Sequence, residues 1–147
     1  VVAESPVRPG DVVVDLGAGV GALTGPLAAA GARVLAVELH SQRAAALREA
    51  FAGTRVAVLE MDLRDFRWPG HPFRVVANPP YTGVNGLLRS LLASRQLLSA
   101  DLVLAEGAAR GLVRRSRGHR LELGPRLPRS AFVHPPPGAA RVLRVRG

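Results

Sequence analysis

Short runs of apolar, β-branched residues recur along the first two-thirds of the chain: 11–16 (DVVVDL), 33–38 (RVLAVE), 55–60 (RVAVLE), 73–78 (FRVVAN) and 101–105 (DLVLA). Near-continuous hydrophobicity over five or six residues is how strands of a parallel sheet read when both faces are covered. Ala- and Leu-rich stretches near 21–30, 41–52 and 84–95 separate them. In the last, Val84, Leu87, Leu88, Leu91 and Leu92 follow the i, i+3, i+4, i+7, i+8 spacing of one buried helical stripe. Ser41 is placed to cap the second helix, whereas Pro26 falls just past the first turn of the first helix, where it removes a donor. Strand and helix in alternation predict a doubly wound α/β sheet with right-handed crossovers. After residue 106 the pattern changes to an Arg-rich helix or loop, followed by short strand-like pieces at 120–123 and 140–145. No second domain and no repeat is visible, so residues 1–147 are expected to form one domain.

Composition narrows the chemistry. With no Cys, disulfides and thiolate metal sites are excluded, and the four His are scattered without metal-ligand spacing. No apolar run reaches the ~18 residues of a membrane helix and no signal peptide is visible, so a cytoplasmic protein without a membrane partner, acting as a monomer, is expected. The net charge of +9 comes from 20 basic residues that are all Arg. Seven of them, at 110, 114, 115, 117, 120, 126 and 129, face the single acid Glu122 within 110–129. Guanidinium groups suit phosphate through bidentate geometry, so Arg114, Arg115 and Arg117 are candidate contacts to a nucleic acid. A solvated basic face is the alternative.

The segment 15–25 (DLGAGVGALTG) follows the first strand and opens the first helix. Gly17, Gly19 and Gly21 permit a tight turn and bring backbone amides close to a ligand at a helix N-terminus. Ala22 also satisfies the looser dinucleotide fingerprint, so a nicotinamide enzyme stays open at this point. Glu38 ends the second strand 17 residues beyond Gly21, where a carboxylate can accept both hydroxyls of a ribose. After the third strand, Asp62 could accept from an exocyclic adenine amine with Met61 against the ring; equally, Met61 fills the core and Asp62 caps a loop. Together these positions describe a cofactor that carries adenosine.

The segment 75–83 (VVANPPYTG) decides which one. Ligands of open α/β sheets bind beyond the carboxyl ends of the strands, where Asn78 ends the fourth. An adenine amine or an amide nitrogen is a poor nucleophile because its lone pair is delocalised. The side-chain oxygen of Asn78 and the carbonyl of Pro79 could each accept one hydrogen of such a nitrogen, which localises the lone pair. Tyr81 can stack on a planar substrate. A dehydrogenase has no use for this device; methyl transfer from S-adenosylmethionine to a planar nitrogen does.

The chain resembles the ribosomal RNA adenine N6-methyltransferases, the family of the Erm-type resistance enzymes and their ribosome-biogenesis relatives. The resemblance runs from about Arg8 to Val145 and is carried by RPGDVVVDLGAGVGALT, GARVLAVELH, PFRVVANPPY and LPRSAFVHPPP. It implies a Rossmann-like S-adenosylmethionine-dependent methyltransferase fold, mostly parallel with a C-terminal antiparallel strand. It implies that Gly17, Ala18, Gly19, Glu38, Leu39, Met61, Asp62 and Asn78 bind the cofactor, that Asn78, Pro79 and Tyr81 hold the target amine, and that Phe132 lies near the flipped adenine. The implied activity is N6-methylation of an adenine in 23S ribosomal RNA, naked or partly assembled, giving macrolide-type antibiotic resistance. The family's Gln-Asn/His-Phe-Leu segment before the first strand and its C-terminal helical RNA-binding domain have no counterpart here, so a short form is expected. Ala105-Glu106 and 138–142 (GAARV) also depart from the family pattern. Two other readings stand beside this one: a DNA-adenine or protein-glutamine methyltransferase using the same motif, and an RNA-binding or assembly module of the same fold without turnover.

Overall fold

A computed structural model describes residues 1–80, 82–116, 120–132 and 135–146. The strands are β1 (Val12–Leu16), β2 (Arg33–Glu38), β3 (Val56–Glu60), β4 (Phe73–Ala77), β5 (Leu97–Ala105), β6 (Leu121–Leu127) and β7 (Ala140–Arg146). They form one seven-stranded sheet in the order β3-β2-β1-β4-β5-β7-β6. Strands β1 to β5 are mutually parallel, and β7 runs antiparallel between β5 and β6. The expected mostly parallel sheet with its antiparallel C-terminal strand is therefore what the chain builds.

Helices α1 (Thr24–Ala29) and α2 (Ser41–Ala50) cover one face, over a core that includes Val13, Leu27, Val34, Ala36, Leu47 and Val76. Helices α3 (Val84–Ala93) and α4 (Glu106–Arg115) cover the other, over Val14, Leu16, Val37, Phe73, Val75, Leu102, Leu104 and Leu143. The stripe read on α3 is real, since Val84, Leu88 and Leu91 are buried.

Three local expectations are corrected. Helix α1 starts at Thr24, so Pro26 lies within its first turn, where backbone donors have no intrahelical partner in any case. Ser41 is the first residue of α2 and His40 its N-cap; the His40 amide donates instead to Glu38 Oε2. Strand β5 begins at Leu97 rather than at 101. Its early residues Ser99 and Asp101 are polar yet buried, because Arg74 donates to Ser99 at 2.9 Å and Arg144 stands 3.5 Å from Asp101.

Candidate functional site

A cavity of about 1140 Å3 opens at the carboxyl ends of β1, β2, β3 and β4. Its walls include Gly17 and Gly19 from the loop after β1, Glu38 and Leu39 after β2, Asp62 and Leu63 after β3, and Asn78 and Pro79 after β4. Phe132, Pro136 and Pro137 close it from the segment before β7. Four strand ends and one late loop thus bring together residues that the sequence scatters over more than a hundred positions.

The loop after β1 is folded by its own amides. Gly17 N and Ala18 N both donate to Val37 O, at 2.8 and 3.0 Å, and Gly21 N donates to Ala18 O at 2.9 Å. Gly19 N donates to Glu38 Oε1 at 2.8 Å. These four amides are satisfied within the protein, so they are not the free donors that the glycine pattern suggested. The glycines provide clearance instead. Gly17 has φ +72°, and a β-carbon there would stand 3.3 Å from Pro80 Cδ and 3.7 Å from the Asn78 carbonyl oxygen. The loop after β1 and the turn after β4 are therefore in direct contact.

Glu38 is 4% exposed although charged. Its two oxygens accept the amides of Gly19 and His40, at 2.8 and 2.9 Å. A carboxylate has about four lone-pair sites, so each oxygen retains capacity for a hydroxyl donor in the cavity. Asp62 is a loop cap that also stands in the cavity wall. It caps the 3-10 turn Leu63–Asp65 by accepting from Arg64 N at 2.9 Å, and it also lines the cavity. The Arg64 side chain grips the same carboxylate through Nε at 3.1 Å and Nη2 at 2.8 Å, and these bonds hold its pKa at about 2.

Beneath the loop, Thr24 Oγ1 donates to Asp15 Oδ2 at 2.7 Å. Asp15 is 1% exposed, and burial lifts its pKa to about 7 against the lowering bond from Thr24.

Not every expected residue reaches the cavity. Met61 packs against the core below α3 and Leu63 takes the place in the wall. Ala18 is turned into the core under α1. Arg114 and Arg115 are exposed on the last turn of α4, which leaves the carboxyl end of β5 and runs back along the sheet for about 15 Å. Arg110 and Arg126 are drawn to Glu106, at 3.1 and 3.2 Å, together with Arg141 at 3.2 Å. Of the run, Arg110 and Arg126 thus join an ion-pair cluster, and Arg114 and Arg115 stand at the far end of the helix. Tyr81 and Arg117 lie outside the described residues.

Sequence reasoning missed several wall residues, namely Arg43, Arg64, Phe66, Trp68 and Ser90. The aromatic spacing around 66–73 was an available signal. Trp68 stacks on Phe73 with centroids 5.5 Å apart, meets Phe66 edge-on, and donates from Nε1 to Ser90 at 2.8 Å.

The fold is that of the Rossmann-like S-adenosylmethionine-dependent methyltransferases. The structure is similar to that of the 23S rRNA methyltransferase ErmE, with a TM-score of 0.85 at 24% identity over 99% of this chain and 64% of that one. The sequence matches the family described as ribosomal RNA adenine dimethylase over residues 1–123, and the chain belongs to that family. It is 31% identical over 144 residues to the rRNA adenine N-6-methyltransferase of Corynebacterium diphtheriae, covering 91% of this chain and 57% of the relative. It is 42% identical over 95 residues to the ribosomal RNA small subunit methyltransferase A of Thermosynechococcus vestitus, covering 64% of this chain and 36% of the relative. The chain therefore spans little more than half the length of one of these relatives and about a third of the other.

Proposed function

We propose that this chain transfers a methyl group from S-adenosylmethionine to the N6 amine of an adenine in ribosomal RNA. One observation carries the reading: the loop after β1, with Glu38, and the Asn78-Pro79-Pro80 turn are packed against each other in a single cavity. A cofactor site and an amine-accepting site that touch are what direct transfer between two bound groups requires.

The residues fit an adenosine-bearing cofactor. Glu38 has lone pairs left for two ribose hydroxyls, Asp62 stays ionised beside the position for an adenine amine, and Leu39 and Leu63 supply apolar walls. S-adenosylmethionine supplies an electrophilic methyl on a sulfonium. Asn78 Oδ1 and the Pro79 carbonyl accept the two hydrogens of the target amine and turn its lone pair towards that methyl. As the nitrogen–carbon bond forms the carbon–sulfur bond breaks, and the excess proton on nitrogen passes to water. Phe132, which lines the same cavity, is assigned to stack on the flipped base, and the sequence assigns Tyr81 the same role. Arg114 and Arg115 are assigned to phosphate contacts outside the cavity.

Within this activity we favour 23S RNA as substrate, with macrolide-type resistance as the consequence and the cytoplasm as the place. The likeness to the 23S rRNA methyltransferase ErmE, at a TM-score of 0.85 over 99% of this chain, supports that choice. A small-subunit RNA substrate is the second reading, favoured by the higher 42% identity over the shorter 95-residue match. Tritiated methyl transfer to purified 23S and 16S RNA, to naked DNA and to protein extract separates the possibilities. Label on adenine N6 of 23S RNA alone is expected.

A further inference from the structure

A second concave surface lies on the α3-side face of the sheet, at the amino ends of β1, β2 and β3. Val12, Leu35 and Ala57 form its floor, and Arg33, Arg55 and His71 stand around it. It exists because residues 61–72, which connect β3 to β4, contain only one 3-10 turn and no α-helix to cover the sheet. The carboxyl half of that face is closed by Leu63, Phe66 and Trp68, which pack on the core. The amino half is left open: Ala57 is exposed in mid-strand, and Val12 and Leu35 are half-buried.

The charges around this floor are arranged unfavourably for a bare surface. Arg33 begins β2 and Arg55 immediately precedes β3, with Val34 N donating to Arg55 O at 3.0 Å. Their side chains fall on the same face as Leu35 and Ala57, which are paired in register. Like charges gathered around one concavity on adjacent strands repel. None of the ion pairs among the described residues includes Arg33, Arg55 or His71. A phosphate between the two guanidiniums would turn that repulsion into paired, charge-assisted hydrogen bonds.

The same short segment forms a wall of both concavities. Phe66 and Trp68 face the large cavity and His71 faces the second one. Arg67 is exposed between them. Along β2, Arg33 lies five residues from Glu38, about 16 Å at strand rise. Arg64 stands in the wall of the large cavity, and Arg33, Arg55 and His71 stand around the second concavity. Asp65 is the one acid in the 61–72 segment beyond Asp62.

We propose that this surface binds the backbone of the RNA beyond the target nucleotide, with phosphates on Arg33 and Arg55 and a base or ribose against Val12, Leu35 and Ala57. The inference rests on the ribosomal RNA reading above and extends it. An anionic, partly apolar strand matches both features of the patch: the cationic rim takes phosphate and the bare floor takes a nucleoside face. It also gives the chain a hold on RNA that is independent of base choice at Asn78.

The test is binding of a transcribed 23S RNA fragment across a potassium chloride series, with the unsubstituted protein and with the double variant Arg33→Gln/Arg55→Gln. Losing two phosphate contacts should lower the logarithmic salt slope by roughly 1.5, at roughly 0.7–0.9 per contact. Affinity for S-adenosylmethionine and the urea midpoint should stay unchanged. Ala57→Glu, which places a carboxylate on the floor without touching either arginine, should also weaken RNA binding. If the slope and affinity of both variants equal those of the unsubstituted protein, the surface assignment is overturned while the proposed function stands. If RNA affinity is retained but binding to purified ribosomal subunits is lost, a protein occupies the patch and the RNA assignment is overturned. Absence of salt-dependent RNA binding by the unsubstituted protein would overturn the function reading, and the surface with it.

Discussion

Gly19 donates its amide to Glu38 Oε1 across 2.8 Å, joining the loop after β1 to the end of β2. The bond gives Glu38 two tasks: it fixes the loop and presents the remaining lone pairs to the cavity. Glu38→Ala removes both. Charge-assisted hydrogen bonds contribute about 1.5–3 kcal/mol each, so S-adenosylmethionine affinity should fall at least about tenfold. Isothermal calorimetry reads this directly, and an affinity equal to that of the unsubstituted protein removes Glu38 from the site.

Gly17 and Gly53 both have positive φ, +72° and +76°, but only Gly17 has neighbours within 4 Å of a built β-carbon. Alanine at either position should cost about 1–2 kcal/mol of stability from the left-handed backbone alone. Gly17→Ala additionally presses on Pro80 and the Asn78 carbonyl. A displacement of 1 Å at a reacting centre costs about a hundredfold in rate, so a shift of a few tenths should still slow methyl transfer several-fold. Gly53→Ala should leave transfer unchanged once folding is matched. Equal activities for the two variants would show that the contact between the two loops does not position the turn.

Burial, opposed by the Thr24 hydrogen bond and reinforced by the nearby Glu38 charge, raises the Asp15 carboxyl from 3.8 to about 7. A raised acid favours the protonated form in the folded state. Its stabilising contribution is therefore fully present below the unfolded value near 3.8 and lost as pH rises to about 7. Above that the penalty is constant. Asp15→Asn keeps an acceptor for Thr24 and has no proton to lose. Urea unfolding from pH 4 to pH 8 should show the unsubstituted protein losing stability relative to the variant, with a limiting slope of about 1.4 kcal/mol per pH unit. Parallel stability curves would mean that Asp15 is already ionised in the folded protein. Asp62 and Glu106, lowered by hydrogen bonds from Arg64 and Arg110 foremost, lose their contributions only at more acid pH.

The parallel strands were legible because burial on both faces writes itself as unbroken Val, Leu and Ala. The first four residues of β5 were not, because Ser99 is buried against an arginine that comes from β4. Nothing adjacent in sequence announces that partner. The order of Gly17, Glu38, Asp62 and Asn78 on successive strand ends could be read directly, since the fold places strand ends together. What the glycines do there could not: spacing does not say whether an amide faces a ligand or its own neighbour, as Gly19 does. The ion pairing within the arginine run was hidden for a related reason. Charge density along the chain ignores Glu106, which gathers Arg110, Arg126 and Arg141 from three different elements. Arg64 was invisible because its role depends on a two-residue turn back onto Asp62.

Transfer of tritiated methyl to 23S RNA by Asn78→Ala tests the central claim most directly, because the acceptor pair at the end of β4 is what the mechanism uses to activate the target amine. Cofactor affinity should stay within a few-fold by calorimetry, while turnover falls by about a hundredfold or more, the cost of losing a preorganised hydrogen-bonding group at a reacting centre. Full turnover by the Asn78→Ala protein would contradict the mechanism.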